Sequence, residues 1–311
     1  MITVKRYTPS EQQTWDEFIS RSKNGLFLFY RGYLEYHSDR FADSSLIFYE
    51  GKRIVGIMPA NLEGTVLWSH KGLTFGGVIS DTRMTTVKMS AVFDALMNFA
   101  AQEGATSLIY KAIPYIFHTV PAQEDLYAIF LLKGKLVRRD LSSVIELVSR
   151  LPLSKGRKHG LAKARKAGLE VRQTDDFATY MPLLKEAIRQ HGTTPTHSLE
   201  EMRLLSASFP QNIKLFAAYE GNTMHAGIVI YEYRHVAHTQ YMASSALGKE
   251  HGALDLIISH LIERKYSEFR YFSFGISTEQ QGRYLNQGLV AQKEMFGARA
   301  VVHDLYELAI A

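Results

Sequence analysis

YEGKRIVGI, from Tyr49 to Ile57, returns as YEGNTMHAGI, from Tyr219 to Ile228, with one extra residue before the shared Gly-Ile. A second echo follows each copy after a helix-like stretch: GKLVRRDLSSVIEL (Gly134 to Leu147) and GARAVVHDLYEL (Gly297 to Leu308). Self-similarity at this long period marks a duplicated domain and not a solenoid, whose units are roughly 20–50 residues. In a chain of 311 residues the duplication predicts an N-terminal domain over 1–150 and a C-terminal domain over 151–311, each of ordinary domain size. Any functional asymmetry is expected where the two copies differ.

Composition narrows the class. An apolar share of 46% with 22% charged residues is that of a globular protein. No apolar run reaches the roughly 18–20 residues needed to cross a bilayer. The opening MITVKRYTPSEQQ has no apolar core of a secretory signal. The absence of cysteine excludes disulfides, thiol nucleophiles and thiolate metal sites, and it fits a cytoplasmic location.

The net charge of +5 is local. SKGRKHGLAKARKAG, from Ser154 to Gly168, holds six Lys/Arg and no acid, leaving 30 basic against 31 acidic residues elsewhere. As a helix, this segment puts Lys155, Lys158, His159, Lys163 and Lys166 on one face and Leu161, Ala164 and Gly168 on a thin opposite face. It reads either as a phosphate-binding surface, for RNA, a nucleotide or a lipid headgroup, or as a solvated linker helix between the halves.

Two units of mixed α and β structure follow from periodicity. In the first half ITVKRY is a strand, and TWDEFISRS and YRGYLEYHSDRF have helical spacing. SLIFYEG and RIVGIMPANL form a strand pair around the Glu-Gly turn. A helix with Val92, Ala95, Leu96 and Phe99 on its buried face starts at a cap on Asp81 or Thr82. TSLIYKAIP, DLYAIFLLKG and LVRRDLSSVIEL continue as strand, helix and strand. The second half repeats the order: LEVRQT (strand), FATYMPLLKEAIRQHG (helix), a capping box Ser198/Glu201, and three strands in KLFAAYEG, HAGIVIYEYR and VAHTQYMASS. HGALDLIISHLIERKY (helix), YFSFGIS (strand), LNQGLVAQKEMFG (helix) and ARAVVHDLYELAI (strand) complete it. A meander followed by helix, strand, helix and strand is an α/β arrangement of the α+β, mixed-sheet type. The lack of a Gly-rich turn after the first strand argues against a doubly wound nucleotide fold.

That element order is also the order of the GNAT acyltransferase fold, in which a strand, a pyrophosphate-binding turn, a helix and a splayed next strand hold coenzyme A. Two such domains bridged by a basic stretch resemble the FemABX-like branch, which includes peptidoglycan aminoacyltransferases and polysaccharide-linked N-acyltransferases. RQHGTTPTHSLEEM (Arg189 to Met202) looks like the segment after the first helix of that branch's second domain. FSFG (Phe272 to Gly275) looks like its Phe-Asp-Phe-Gly strand, with Ser273 where Asp is common. QKEMFGA (Gln292 to Ala298) looks like its Phe-Lys-x-x-Phe-Gly ending.

The turn ALGKEHGAL, from Ala246 to Leu254, carries the candidate donor site. A helix start offers unpaired N–H groups and a positive dipole end to a pyrophosphate. Gly248 and Gly252 permit close backbone approach, Lys249 and His251 supply positive or donating groups, and Ala253 opens the helix. GNAT proteins place Gln/Arg-x-x-Gly-x-Gly/Ala here; Lys249, Gly252 and Leu254 make a degenerate version, and a plain glycine-containing turn is the competing reading. In the first half the matching turn, GGVISDTRMT, presents Asp81, which repels phosphate.

Acylation of an amine needs a neutral amine, a polarised carbonyl and a proton source. Aligned with the last GNAT helix, Lys293 stands where many of these enzymes have a Tyr acid, and the resemblance implies that it neutralises developing charge or a phosphate; a plain surface lysine is the competing reading. Tyr284 is the nearest phenol. Glu232, His238 and Tyr241 on the central strands are candidate bases, Glu232 sharing a face with Ile228 and Ile230. His191, ending a helix before a polar loop with Thr193, Thr194 and Thr196, is a candidate base or a simple helix-end cation. No histidine spacing suits a metal, so none is expected.

The expectation is a cytoplasmic tandem-GNAT N-acyltransferase. It moves an acyl or aminoacyl group from a thioester or ester donor, acyl-CoA (acetyl-CoA) in the GNAT pattern, to an amine of a sugar-nucleotide or cell-wall-type acceptor in an interdomain cleft. Two alternatives stay open: an aminoacyl-tRNA-dependent peptidoglycan-precursor aminoacyltransferase that grips tRNA with residues 154–168, and a non-catalytic, degenerate GNAT binding module.

Overall fold

Both Tyr-Glu-Gly segments turn β-hairpins, and the two hairpins share an irregularity invisible in sequence. The computed structural model describes residues 1–189 and 194–310. In it β2 (Leu46–Glu50) pairs with β3 (Arg53–Met58), and β10 (Ile213–Glu220) with β11 (Thr223–Glu232). Tyr49 faces Ile54 and Phe48 faces Gly56, so Val55 is the extra residue of a bulge. Tyr219 faces Met224 and Ala218 faces Ala226, so His225 is the extra residue of the other. Gly51 and Gly221 at the turns have φ of 62° and 59°, the left-handed region that a two-residue hairpin turn demands and glycine accepts. The hairpins therefore match residue for residue. Gly56 corresponds to Ala226, and the extra residue of the sequence repeat lies only in the Gly-Ile pair.

The chain divides into two compact units: Met1–Asp140 with Gln280–Tyr284 and Val302–Ala311, and Leu141–Glu279 with Leu285–Val301. Unit 1 begins with β1 (Ile2–Arg6), α1 (Gln12–Arg21) and α2 (Arg31–Leu34), and after the hairpin adds β4 (Asn61–Glu63), β5 (Val66–Trp68) and β6 (Ile79–Ser80). Then come α3 (Thr86–Gln102), β7 (Ser107–Lys111), α4 (Glu124–Leu131) and the start of β8 (Lys135–Glu146). One sheet has the order β1-β2-β3-β6. In another, β4 pairs with β5, β5 lies parallel to β7, and β7 pairs with residues 305–309 of the last strand.

Two helical expectations shift here. The helix α3 starts at Thr86 with Thr85 as its cap, its hydroxyl accepting from Lys88 N at 3.3 Å. Asp81 Oδ1 instead accepts from Arg83 N at 2.9 Å, an Asx-type turn that holds the chain out of helix. The buried face of α3 runs Met89, Val92, Phe93, Leu96 and Ala100, with Ala95 and Phe99 only half-buried. Around Tyr30–Phe41 the expected helix shrinks to α2 and one 3-10 turn. Arg31 there is 2% exposed; its backbone N–H donates to Asp16 and its guanidinium to Asp43, so tertiary pairing outweighs helix propensity.

Unit 2 takes the end of β8, then α5 (Lys155–Lys166), β9 (Glu170–Thr174), α6 (Phe177–Arg189), α7 (Leu199–Ser208) and the β10–β11 hairpin. Next are β12 (Val236–Ser244), α8 (Ala246–His251), α9 (Ala253–His260), β13 (Tyr271–Ile276), the short β14 (Thr278–Glu279), β15 (Tyr284–Leu285), whose Tyr284 counts with unit 1, and α10 (Gln287–Glu294). The final strand, β16 (Arg299–Ala309), closes the list. The sheet order in this unit is β8-β13-β12-β11-β10-β9. The expected capping box forms at Ser198 and Glu201. Ile228, Ile230, Ile257, Ile258, Leu261 and Phe272 share one core cluster, each large apolar side chain contributing about 1.5–3 kcal/mol by its burial.

Candidate active site

The second unit opens a fork in its own sheet. β12 and β13 run parallel for only three paired positions, Val236–Tyr271, Ala237–Phe272 and His238–Ser273. Beyond them β12 continues to Ser244. Gly275 takes φ of 70°, and the β13–β8 register shifts between Ser273 and Ile276. On its other side β12 carries a bulge: Val229 faces Tyr241 and Ile230 faces Thr239, so Gln240 is the extra residue. A bulge leaves its extra residue out of the ladder and re-aims the strand. The backbone of β12 from Thr239 onward is thus free of β13, and edge groups of this kind are available to a ligand.

Buried hydrogen bonds tie the fork together. Ser273 is fully buried and His238 is 7% exposed, and His238 Nδ1 lies 3.0 Å from Ser273 Oγ. Gly275 N donates a long bond, 3.4 Å, to the same Oγ. The Ser273 hydroxyl thus links the His238 ring to the backbone of Gly275. The space of a side chain at Gly275 is taken by the His238 ring, whose Cε1 lies 3.3 Å from the ideal Cβ position.

Lys293 sits on α10 and is 4% exposed. Its Nζ donates to Gly275 O (2.9 Å), Ile276 O (2.7 Å) and Ser277 Oγ (2.8 Å). All three ammonium protons are therefore used, and burial lowers its pKa from 10.5 to about 8. Ser273 and Lys293 between them hold the N–H and the C=O of Gly275.

The expected phosphate turn is helical. β12 passes through Ser245 directly into α8, Ser245 Oγ accepting from Gly248 N at 3.0 Å. Ser245 N donates at 2.8 Å to the carbonyl of His225, the bulge residue of β11. A side chain at Gly248 would meet that same carbonyl and Ser244 Oγ. Gly252, at φ 73°, breaks α8 from α9, and a side chain there would meet the Gly160 carbonyl of α5. Both glycines thus serve packing within the unit. Ala253 is fully buried, His251 half-buried and Lys249 exposed.

The basic helix forms as expected, with Ala164 fully buried. Arg157 is tied down: it donates to Asp255 at 2.9 Å and to Gln292 O at 3.2 Å, and it stacks 4.4 Å over the Phe296 ring. Lys155, Lys158, Lys163, Arg165 and Lys166 are exposed. Gly160, unremarked in the sequence, lets α5 approach α9.

The remaining candidates scatter. Glu232 is half-buried and accepts from Lys214 Nζ at 2.6 Å. Tyr241 OH lies 2.7 Å from His197 Nδ1, and burial raises its pKa. Tyr284 belongs to unit 1 and is 51% exposed. His191 and Thr193 lie outside the described residues. Among the described residues no group of three or more His, Asp or Glu could hold a metal, and no helix is long and apolar enough to cross a membrane. Sequence reasoning missed Ser245 and Gly275; a strand ending in Ser-Ser before an alanine was the available cap signal.

Residues 154–284 match the model of the acetyltransferase (GNAT) domain family. No functionally curated protein shows significant sequence similarity to the chain. Among solved structures the chain is similar to FemX, with a TM-score of 0.68 at 11% identity over 97% of this chain and 96% of that one. L-PGS from Bacillus licheniformis has a TM-score of 0.65 at 12% identity, over 98% and 93%. A tandem GNAT protein from the clavulanic acid biosynthesis pathway has a TM-score of 0.54 at 9% identity, over 100% and 99%. Residues 154–284 thus carry a GNAT acetyltransferase domain, and the chain along its whole length has the tandem GNAT fold that FemX and the clavulanic acid pathway protein share.

Proposed function

We propose that the protein is an N-acyltransferase whose acyl donor lies along the open edge of β12, at the fork with β13. The fork is the observation that carries this reading. It offers strand backbone that is free of β13 to an extended donor, beside the buried His238–Ser273 pair and a lysine-clamped glycine loop. The chemistry has three requirements. The attacking amine must be neutral, the oxygen of the tetrahedral intermediate must meet a donor, and the leaving thiolate or alkoxide must take up the proton the amine gives up. In this reading the His238 imidazole, held by Ser273, is the group that meets the carbonyl oxygen. Lys293 acts through the loop that it holds and by its buried positive charge. Lys249, exposed at the end of β12 and α8, with His251 behind it, faces the anionic part of the donor; Gly248, Gly252 and Ala253 shape the backbone that presents them. Glu232, already paired, and Tyr284, exposed in unit 1, are secondary candidates for proton transfer, as is His191.

The acceptor in this reading is an amine on a sugar nucleotide or cell-wall-type precursor, and the compartment is the cytoplasm. Acyl-CoA is the donor to test first. Acetyl-CoA should raise the thermal midpoint of the wild type, and Gly275→Val, which drives a side chain into His238, should abolish the rise. Acetyl-CoA, longer acyl-CoAs and aminoacyl-tRNA all failing to shift the midpoint would overturn the reading.

A second donor has its own support. Five exposed Lys/Arg on α5, none with an acidic partner among the described residues, suit a nucleic-acid backbone and hence an aminoacyl-tRNA. Binding of tRNA should then fall steeply with salt and be lost in the triple variant Lys158→Glu, Lys163→Glu, Lys166→Glu.

A further inference from the structure

Past an acidic first turn, in which Glu124 is paired with Lys23 and Asp125 is buried, helix α4 is apolar all round, yet only one side of it is covered. Its sequence is EDLYAIFL. Ala128 and Ile129 are buried in the unit 1 core, where α4 packs on α3. Tyr127, Phe130 and Leu131, at i, i+3 and i+4, form a second face and are 52%, 73% and 52% exposed. A helix that is hydrophobic all round is normally enclosed, and a cluster of large exposed apolar side chains marks a contact surface.

The charge beside this face says what covers it. Between Asp125 and Asp140 the chain has Lys133, Lys135, Arg138 and Arg139 and no acid. Arg138 and Arg139 are paired with Asp140 and Asp304, whereas Lys133 and Lys135 are exposed and have no acidic partner among the described residues. Lys133 stands immediately after the helix at φ 56°, a left-handed position that glycine occupies more easily. An exposed lysine, not a glycine, stands at this position, two residues past Leu131. Its N–H closes the turn onto Phe130 O at 3.0 Å, which fixes the lysine at that end of the apolar face.

We infer that Tyr127, Phe130 and Leu131, with Lys133 and Lys135, form a docking surface for an anionic lipid bilayer. The helix lies in the interface with its outer face among the acyl chains, and the two ammonium groups reach the lipid phosphates. Exposed apolar side chains flanked by unpaired lysines are the pattern of interfacial membrane binding. Neither residue set takes part in the acyl-transfer reading, so this inference stands or falls separately.

The test is co-sedimentation of the full chain with vesicles of phosphatidylcholine mixed with phosphatidylglycerol, against vesicles of phosphatidylcholine alone. The wild type should partition to the anionic vesicles. Phe130→Ser with Leu131→Ser should lower the partition coefficient by about tenfold or more, with the thermal midpoint unchanged because both side chains are exposed. Lys133→Glu with Lys135→Glu should lower it by about tenfold on anionic vesicles only. The α5 triple charge reversal should leave the apolar contribution intact, so that Phe130→Ser with Leu131→Ser still weakens binding in that background. Three results would overturn the inference: no binding to either vesicle, equal binding by the serine variant and the wild type, or a concentration-dependent dimer that the serine variant abolishes. The last would assign the face to a second copy of the chain.

Discussion

Lys111 in unit 1 and Lys293 in unit 2 share an acid–base character but not a setting. Burial lowers both from 10.5 to about 8. Each ammonium is spent on loop carbonyls: Lys111 on those of Lys71 and Leu73, Lys293 on those of Gly275 and Ile276. The loop held by Lys111 lies between β5 and β6. The loop held by Lys293 lies where β13 leaves β12, beside a histidine bonded to Ser273. A displaced pKa is thus common to both units, and only in unit 2 does it coincide with an opened strand edge. Perturbed titration locates a functional site only in the company of geometry.

The sharpest break of this comparison is by turnover. With the acyl donor identified, Lys293→Met should lower kcat about 100- to 1,000-fold, whereas Lys111→Met should leave it unchanged. Equal losses would mean that both lysines act only by stabilising their units. A second measurement uses pH. Because the folded pKa of Lys293 is about 8 against 10.5, the unfolded chain binds the extra proton between those values. Stability should therefore rise by up to about 3 kcal/mol from pH 8 to pH 10.5. Urea melts at pH 8 and 9.5 should show that rise, reduced in Lys293→Met.

Unit 1 offers the opposite sign. The Asp125 carboxyl, fully buried and bonded by Tyr110 OH at 2.7 Å, is raised by burial to about 6 from 3.8. Its folded form holds the proton longer than the unfolded chain, so unit 1 loses up to about 3 kcal/mol as pH rises from 4 to 6. Asp125→Asn should flatten that slope. Smaller effects separate the two helix entries. Gly252→Ala sets a side chain at positive φ against the Gly160 carbonyl and should cost about 2 kcal/mol. Ser245→Ala and Thr85→Ala each remove one cap and should cost about 1 kcal/mol by denaturant titration. If only Ser245→Ala also weakens donor binding, the entry at α8 is part of the site.

Much of the fold was legible because its signals are local. The Gly turns of both hairpins, the Ser198/Glu201 box and the basic helix are each set by a few neighbouring residues. The cap of α3 was misread because Asp81 satisfies the same side-chain preference in a turn as in a cap. The helical form of the Ala246–Leu254 turn was not legible for a related reason: the neighbours that pack against Gly248 and Gly252, the carbonyls of His225 and Gly160, are distant in sequence. The His238–Ser273 bond and the bulge at Gln240 depend on strand register, which a single sequence does not express.

One arrangement bears on how the molecule is made. In unit 1, β7 pairs with residues 305–309 of β16, which leave the ribosome some 160 residues after Asp140. At about 5–20 residues per second, unit 1 waits roughly 10–30 s with the Ser107–Lys111 edge uncovered. An open edge of this kind invites pairing with other chains. The newborn protein is therefore most exposed to aggregation, and most in need of a chaperone, during the synthesis of its second half.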